Sequence, residues 1–432
     1  MTKKLNSVNI ITLGCSKNLV DSEQLAAKLK ENDYLVTHNS VAFDFEIAIV
    51  NTCGFINDAK EESINTILEL INAKNNSKLR TIIVFGCLSQ RYMQELRDEM
   101  PEVDVFFGNY DLDEILKYLN KENTPHKYSR ILDSPGHYAY LKISEGCSRN
   151  CAFCAIPLFK GKYLSRNQNE IIDEARYLAS IGVKEIILIA QDLCYYGFDD
   201  EKKFKLPELV NKLSEISEIK WIRLHYLYPH LFPEELLDVI AENPKVCKYI
   251  DIPLQHISDK VLGAMHRGGT KEQIVKLLDK IRNKIPGAAI RTTMLVGHPE
   301  EGEKEFSELL EFIEKQKFDR LGVFTYSAED GTQSCIKYED NISTETKNKR
   351  AEQIMEKQKK ISFEQNSKKV GQIFKVLIDR QEDDIFVGRT EFDSIEVDNE
   401  VIISSNSKLT EGEFYNVKIT GFDDFELYGF VV

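Results

Sequence analysis

The chain has 432 residues, more than one ordinary domain, and its 42% hydrophobic content supplies packed cores and excludes a disordered protein. A formal net charge of −14 disfavours broad electrostatic binding to nucleic acid or to an anionic membrane and favours basic partners. No apolar run reaches the roughly 18 residues of a transmembrane helix, and the start Met1-Thr2-Lys3-Lys4-Leu5 lacks a signal-peptide core, so a cytoplasmic, reducing location is expected.

In chain order, short apolar runs first alternate with amphipathic stretches. Strands are expected at Val8–Leu13, Glu46–Asn51, Arg80–Phe85 and Val103–Phe107, and helices at Val20–Glu31, Asp58–Ala73 and Leu88–Met100. The alternation implies an α/β domain with a doubly wound, flavodoxin-like parallel sheet. The polar stretch Asn120–Gly136, with Pro125 and Pro135, reads as a domain boundary. A second series has strands at Tyr138–Ser144, Glu185–Ala190, Trp221–Leu227, Tyr249–Pro253, Ile290–Val296 and Leu321–Tyr326, with helices such as Glu170–Ser180, Pro207–Ser217 and Lys271–Lys284. Six βα units imply an incomplete, TIM-like (βα)6 barrel.

A polar helix over Thr344–Lys369 leads out of this domain, its Lys and Arg side chains reading as a solvated face. Strands at Ile373–Ile378, Ile385–Arg389, Glu400–Ile403, Phe414–Thr420 and Glu426–Val431 then imply a small all-β barrel. The expected domains are 1–125, 133–369 and 370–432. From Gly371 onward five Lys and Arg stand against fourteen Asp and Glu. An RNA-binding barrel would present a basic face. This acidic one suits either a basic protein partner or simple solubility.

Nine cysteines, an odd number, argue against a disulfide framework in a reducing compartment. The strongest pattern is Cys147-x3-Cys151-x2-Cys154, directly after the first strand of the barrel-like series. Three thiolates on one short loop can hold three corners of a 4Fe–4S cubane, which usually takes four cysteines. With no fourth nearby, one iron is left open at the end of the barrel where this fold carries its chemistry. A zinc loop or three buried thiols are the alternatives, but zinc normally takes four ligands at paired spacing. Cys15, Cys53 and Cys87 are distant in sequence, yet each ends an expected parallel strand, and such ends share one sheet edge. A second metal site and ordinary core cysteines both remain open for these three. Cys194, Cys247 and Cys335 have no partner pattern and read as buried or incidental thiols.

The Cys147–Cys154 loop resembles that of the radical S-adenosylmethionine (SAM) superfamily, and the two constellations together resemble its methylthiotransferase family over essentially the whole chain. The resemblance implies two [4Fe–4S] clusters, one on Cys147, Cys151 and Cys154, and one on Cys15, Cys53 and Cys87. The first would bind SAM at its open iron and yield a 5′-deoxyadenosyl radical. The second would carry the sulfur or methylthio group, and SAM would also be the methyl donor. It further implies a carboxyl-terminal TRAM-like barrel.

Gly14-Cys15-Ser16-Lys17-Asn18-Leu19-Val20-Asp21-Ser22-Glu23, Tyr226-Leu227-Tyr228-Pro229 and Asp251-Ile252-Pro253-Leu254-Gln255-His256 are similar to the branch that modifies a ribosomal protein. The transfer RNA adenosine branch typically has Gln-Met where Ser16-Lys17 stand. The implied substrate is the β-carbon of an aspartate in small-subunit ribosomal protein S-twelve, and the implied partners are that protein and an electron donor, with no membrane and no dominant nucleic-acid binding. The rivals are transfer RNA adenosine methylthiolation and, from another class, an iron–sulfur electron carrier.

By the same resemblance Phe153 packs near the adenine, Gln191 and Asp192 end the second strand toward the cofactor's amino group, Gln255 follows the fourth strand, and Arg291, before Gly297 on the fifth, holds cofactor or substrate. Each reads equally as a satisfied polar or packing group at a strand end. The sequence departs from the family at Lys160-Gly161, where Arg-Gly is usual, at Leu164, where a further Arg is usual, and at His298-Pro299-Glu300-Glu301, in place of Phe-Pro-Gly-Glu. Neither Glu300 nor Glu301 is therefore named catalytic.

Overall fold

A computed structural model of the chain describes residues 6–121, 128–404 and 408–432; Met1–Leu5 and Pro125 lie outside them. The chain divides into two compact units. The first comprises Met1–Ser134, Tyr140–Ser148 and Ala155–Tyr177, and the second Pro135–Ala139, Arg149–Cys154 and Leu178–Val432.

In the first unit, β1 (Ser7–Thr12), β2 (Leu35–His38), β3 (Ile47–Thr52), β4 (Thr81–Gly86) and β5 (Val105–Phe106) form a parallel sheet in the order β2-β1-β3-β4-β5. This is the flavodoxin-like order. Successive residues of a strand face opposite sides, and both sides are used. Ala48, Val50, Ile82 and Val84 pack with Ile67 and Leu70 of helix Asn57–Lys74. Ile47, Ile49, Ile83 and Phe85 pack with Leu25 and Leu29 of helix Ser16–Glu31. Strand β3 is therefore buried along its whole length, the reason it reads as a continuous apolar run.

Three details differ from the sequence reading. The first helix starts at Ser16 rather than Val20, because its first turn buries the polar Lys17 and Asn18, which carry no apolar signal. The single helix expected over Leu88–Met100 is two, Cys87–Arg91 and Met93–Glu99, broken where Tyr92 leaves the helical region at φ −128°, ψ 33°. Strand β2 and a helix at Leu112–Tyr118 were not anticipated; β2 is a four-residue edge strand without a fully buried residue.

The next strands are β6 (Tyr138–Lys142), then β7 (Ser144–Glu145) and β8 (Leu164–Ser165), which pair antiparallel in the first unit. Strands β9 (Glu185–Ile189), β10 (Trp221–Leu224), β11 (Tyr249–Asp251), β12 (Ala289–Val296) and β13 (Arg320–Thr325) belong to the second unit. They form sheets ordered β10-β9-β6 and β11-β12-β13, with an isolated parallel bridge from Ile222 to Val246 between them. The strands thus follow chain order across an open, barrel-like arc. A closed barrel of β14 (Ile373–Glu382), β15 (Ile385–Thr390), β16 (Glu400–Ser404), β17 (Phe414–Phe422) and β18 (Glu426–Val431) ends the chain, around Val376, Ile378, Val401, Val417 and Leu427.

Within the second unit this small barrel is joined to the strands of the arc by buried ion pairs. Arg389 meets Glu185 at 2.5 Å and Asp379 at 3.0 Å, and Asp379 also meets His137 at 2.8 Å. Arg223 pairs with Glu185 at 2.8 Å and donates to the Glu391 carbonyl, and Arg320 pairs with Asp393. Trp221 packs edge-on to Phe414 with Tyr249, Cys247 and Leu377 around them. Part of the acidity of the carboxyl-terminal segment is therefore internal. The polar helix, observed at Thr344–Ser367, also departs from the expected solvated face: Lys347 is buried against Asp340 and the Tyr326 carbonyl, and Arg350 against Glu301. Both cations are used to fasten the helix to the arc.

Candidate functional site

At the first site, Cys15 caps the amino end of helix Ser16–Glu31 after β1, Cys53 follows β3, and Cys87 opens the helix after β4. Since β1, β3 and β4 are neighbours, the three cysteines stand side by side at the carboxyl edge of the sheet, with Cys15 exposed and the other two buried. The loops are tied by Asn18, whose amide donates to the carbonyls of Leu13 (2.9 Å) and Thr52 (3.2 Å) while its Oδ1 lies 3.8 Å from Cys87 Sγ. Ser63 brackets Cys53, accepting from its N–H and donating to its carbonyl, both at 3.1 Å. A side chain at Gly14 (φ 89°) would put its Cβ 2.8 Å from Cys53 Sγ, so only glycine leaves the space beside this sulfur open.

Burial pushes the Cys87 thiol up to about 12, with Lys160 opposing and Cys15 and Cys53 adding to the shift. Such a thiol gives up its proton when a metal binds it. Lys160 is itself buried in this unit, held charged against its burial by Cys87, Asp21, Glu145 and Cys15. Lys142 pairs with Asp21 and Glu145 alongside. Among the described residues no three of His, Cys, Asp and Glu close to single-ion spacing. Three thiols at neighbouring loop ends, with Gly14 beside Cys53, are a donor set that suits a cubane.

Of the Cys147–Cys154 loop, Cys147 belongs to the first unit, where its N–H donates to the Gly161 carbonyl at 3.1 Å. Cys151 and Cys154 belong to the second. There Cys151 Sγ receives Arg267 Nη1 at 3.4 Å and lies 3.7 Å from the Tyr228 hydroxyl. Asp192, just past β9, is buried and binds Arg149 at 2.7 Å through Oδ2, while its Oδ1 is buried without a hydrogen-bond partner among the described residues. An orphaned carboxylate oxygen of this kind fits a ligand ammonium such as the amino group of SAM. Burial raises the Asp192 carboxyl above the usual range, opposed by Arg149.

Phe153 packs on Val261, Met265, Leu295 and Tyr326. Half-buried Gln191 precedes Asp192. Gln255 adopts φ 74° and bridges to β12 through its backbone, receiving Leu295 N–H at 2.7 Å and donating to the Thr293 carbonyl at 2.8 Å. Gly297 (φ 78°) donates its N–H to Glu301 at 3.1 Å, and Glu301 is held by Arg350 and His256, a structural arrangement. Arg291 stands near the amino end of β12, and its guanidinium pairs with Asp251 at 3.0 Å and with Asp398 of the small barrel at 3.5 Å, which ties it to that junction. Cys194 and Cys247 are buried thiols and Cys335 is partly exposed.

Family models match three stretches: "Uncharacterized protein family UPF0004" over residues 7–108, "Radical SAM superfamily" over 141–313 and "TRAM domain" over 370–432. Proteins named ribosomal protein uS12 methylthiotransferase RimO are similar from end to end. That of Phocaeicola vulgatus is 52% identical over 431 residues, 99% of this chain and 100% of the relative. That of Cytophaga hutchinsonii is 50% identical over 430 residues, 98% of each. The chain belongs to the methylthiotransferase family of radical SAM enzymes, in its uS12 branch.

Among solved structures, the radical SAM methyltransferase TsrM from Kitasatospora setae aligns at TM-score 0.57 and 13% identity, covering 77% of this chain and 74% of that one. The cobalamin-dependent radical SAM enzyme OxsB aligns at 0.52 and 14%, covering 82% and 56%. These likenesses show a shared fold. For a radical SAM methylthiotransferase a [4Fe–4S] cluster and SAM are implied. The sequence did not single out Asn18, Ser63, Arg149 or Arg267 for any role. Asn18 and Arg149 fell inside quoted motifs, but the partners Thr52, Asp192 and Cys151 lie 34, 43 and 116 residues from Asn18, Arg149 and Arg267.

Proposed function

We propose that this chain inserts a methylthio group at the β-carbon of an aspartate in ribosomal protein uS12, with SAM as both radical source and methyl donor. The observation that carries the reading is the pair of cysteine sites in one chain, Cys15, Cys53 and Cys87 at the sheet edge and the Cys147–Cys154 loop, in a protein related end to end to uS12 methylthiotransferases. We assign the two trios as ligands of two [4Fe–4S] clusters. When bound, the clusters and SAM supply the radical that removes hydrogen from the target carbon and the sulfur that replaces it.

The protein's own part is placement. Asn18 and Ser63 fix the loops of the first trio, Asp192 offers its free oxygen to the SAM amino group, and Phe153 supplies an apolar surface for the adenine. Gln191 follows β9, Gln255 follows β11 and Gly297 follows β12, all past the carboxyl ends of their strands. Domain limits at 1–125, 133–369 and 370–432 are part of the proposal, supported by three family matches in those ranges.

Partners are uS12 and an electron donor, in the cytoplasm. No helix among the described residues is long and apolar enough to cross a membrane. Asp383, Asp384, Glu396, Glu411 and Asp423 remain exposed on the small barrel and suit a basic protein rather than the transfer RNA of the rival reading. The test is intact-mass spectrometry of uS12 from cells with and without the gene. A gene-dependent gain of about 46 Da, one hydrogen replaced by SCH₃, is expected. An unchanged mass, with a methylthio group missing from transfer RNA nucleosides instead, would transfer the substrate to RNA.

A further inference from the structure

Within the second unit, Arg149, Cys151, Tyr228 and Arg267 form one group of contacts. The Tyr228 ring carries two guanidiniums, Arg149 and Arg267, each 4.2 Å from its centroid. Its hydroxyl donates to the Arg267 carbonyl and lies 3.7 Å from Cys151 Sγ. Arg267 sends one nitrogen to Cys151 Sγ at 3.4 Å and another to the Pro253 carbonyl, just past β11. Its Nε is buried without a partner among the described residues. The backbone of the same segment also reaches the loop, since Ala152 N–H donates to the Met265 carbonyl at 2.8 Å. Arg149 is anchored through its Nε by Asp192 at 2.7 Å.

A guanidinium buried this deeply must give its donors acceptors. Here it spends one on a cysteine sulfur and keeps its charge there. Hydrogen bonds and positive charge at a cluster's thiolates stabilise the reduced form, which carries one more electron, and so raise its potential.

We propose that Arg267 is a positioning residue for Cys151 that sets the reduction potential of the radical-generating cluster, with Tyr228 as the plate that aligns it. The proposal rests on the assignment of Cys147, Cys151 and Cys154 as cluster ligands. Arg267 acts on the cluster's one-electron couple and takes no part in bond making. The neighbouring Arg149 binds Asp192 through its Nε, and the hydrogen bond to Cys151 Sγ comes from Arg267.

The test uses full-length protein carrying Cys15→Ala, Cys53→Ala and Cys87→Ala, so that a single cluster remains, reconstituted with iron and sulfide and titrated electrochemically with its paramagnetic signal as readout. If the parent takes up no cluster, the ligand assignment itself fails. If it does, R267Q at equal iron content is expected to show about a tenfold lower ratio of reduced to oxidised cluster at a fixed potential, a shift of about 59 mV for one electron. R267K, which keeps the charge and loses the fork, falls between, and Y228F shifts in the same direction by less. Potentials equal to the parent's in both R267Q and R267K, with the cluster fully loaded, would overturn the proposal. An R267Q that loads no cluster is resolved by R267K, whose potential must then lie below the parent's.

Discussion

Cys15 is the exposed member of the sheet-edge trio, while Cys53 and Cys87 are buried. Removing it takes one thiolate from the first site and leaves the Cys147–Cys154 loop untouched. Cys15→Ala is therefore expected to keep reductive cleavage of SAM, followed as 5′-deoxyadenosine, and to lose methylthio transfer to uS12 by at least about 100-fold, more than an outer-sphere change costs. Normal transfer by this variant would contradict the assignment of Cys15. His298 shows how a departure from the family pattern is absorbed. Standing where phenylalanine is usual, it is buried between Tyr326 and Tyr338, with ring centroids 5.2 and 5.4 Å away, and burial pushes its imidazole down to about 4. At neutral pH it is an uncharged ring, and its Nε2 lies 3.2 Å from the Ser334 hydroxyl.

The loops at the strand ends depend on backbone shapes as much as on cysteines. Gly86, the last residue of β4, has φ 103°, and a Cβ there would come within 2.6 Å of both Asn51 Oδ1 and the Thr52 carbonyl. Gly86→Ala should cost about 1–3 kcal/mol from this conformation alone. In denaturant unfolding the loss should appear in the first unit, and iron bound by a variant retaining only Cys15, Cys53 and Cys87 should fall. Full iron uptake and unchanged stability would show that the loop tolerates the methyl group. The broken helix at Tyr92 and the polar first turn at Ser16 belong to the same scale. Hydrophobic periodicity reports a face packed on a core, and neither feature is of that kind.

At the scale of the whole second unit, ion pairs decide how the small barrel is held. Arg389 is buried between Glu185 of β9 and Asp379 of β14. Removing one member of such a group leaves uncompensated buried charge, which costs about 3–5 kcal/mol. Arg389→Met is accordingly expected to lower the urea midpoint of the second unit, while charge reversals at exposed Asp383 or Asp384 leave it nearly unchanged. Equal midpoints for Arg389→Met and the parent would mean that apolar contacts such as Trp221 against Phe414 hold the barrel without the ions. The segment's excess of acid therefore has two parts, and only the exposed part is available to a basic partner.

The sequence by itself determined the order of the three architectures and the six cysteines of interest. Strand periodicity, parallel βα alternation and the closely spaced Cys147–Cys154 loop are local signals, and the cysteines at Cys15, Cys53 and Cys87 became legible once strand ends could be placed. It also set the limits of most strands: β18 spans Glu426–Val431 as expected, and β12 differs by one residue. Tertiary structure alone decided which polar groups meet. Arg291 pairs with Asp251 and Asp398, and Lys347 and Arg350, read as solvated, are buried in ion pairs. Arg267 reaches Cys151 across 116 residues of chain. Apolar burial repeats with a period that a sequence displays, whereas the partner of a charge is fixed only when the fold closes and desolvation forces every buried cation and anion to find one.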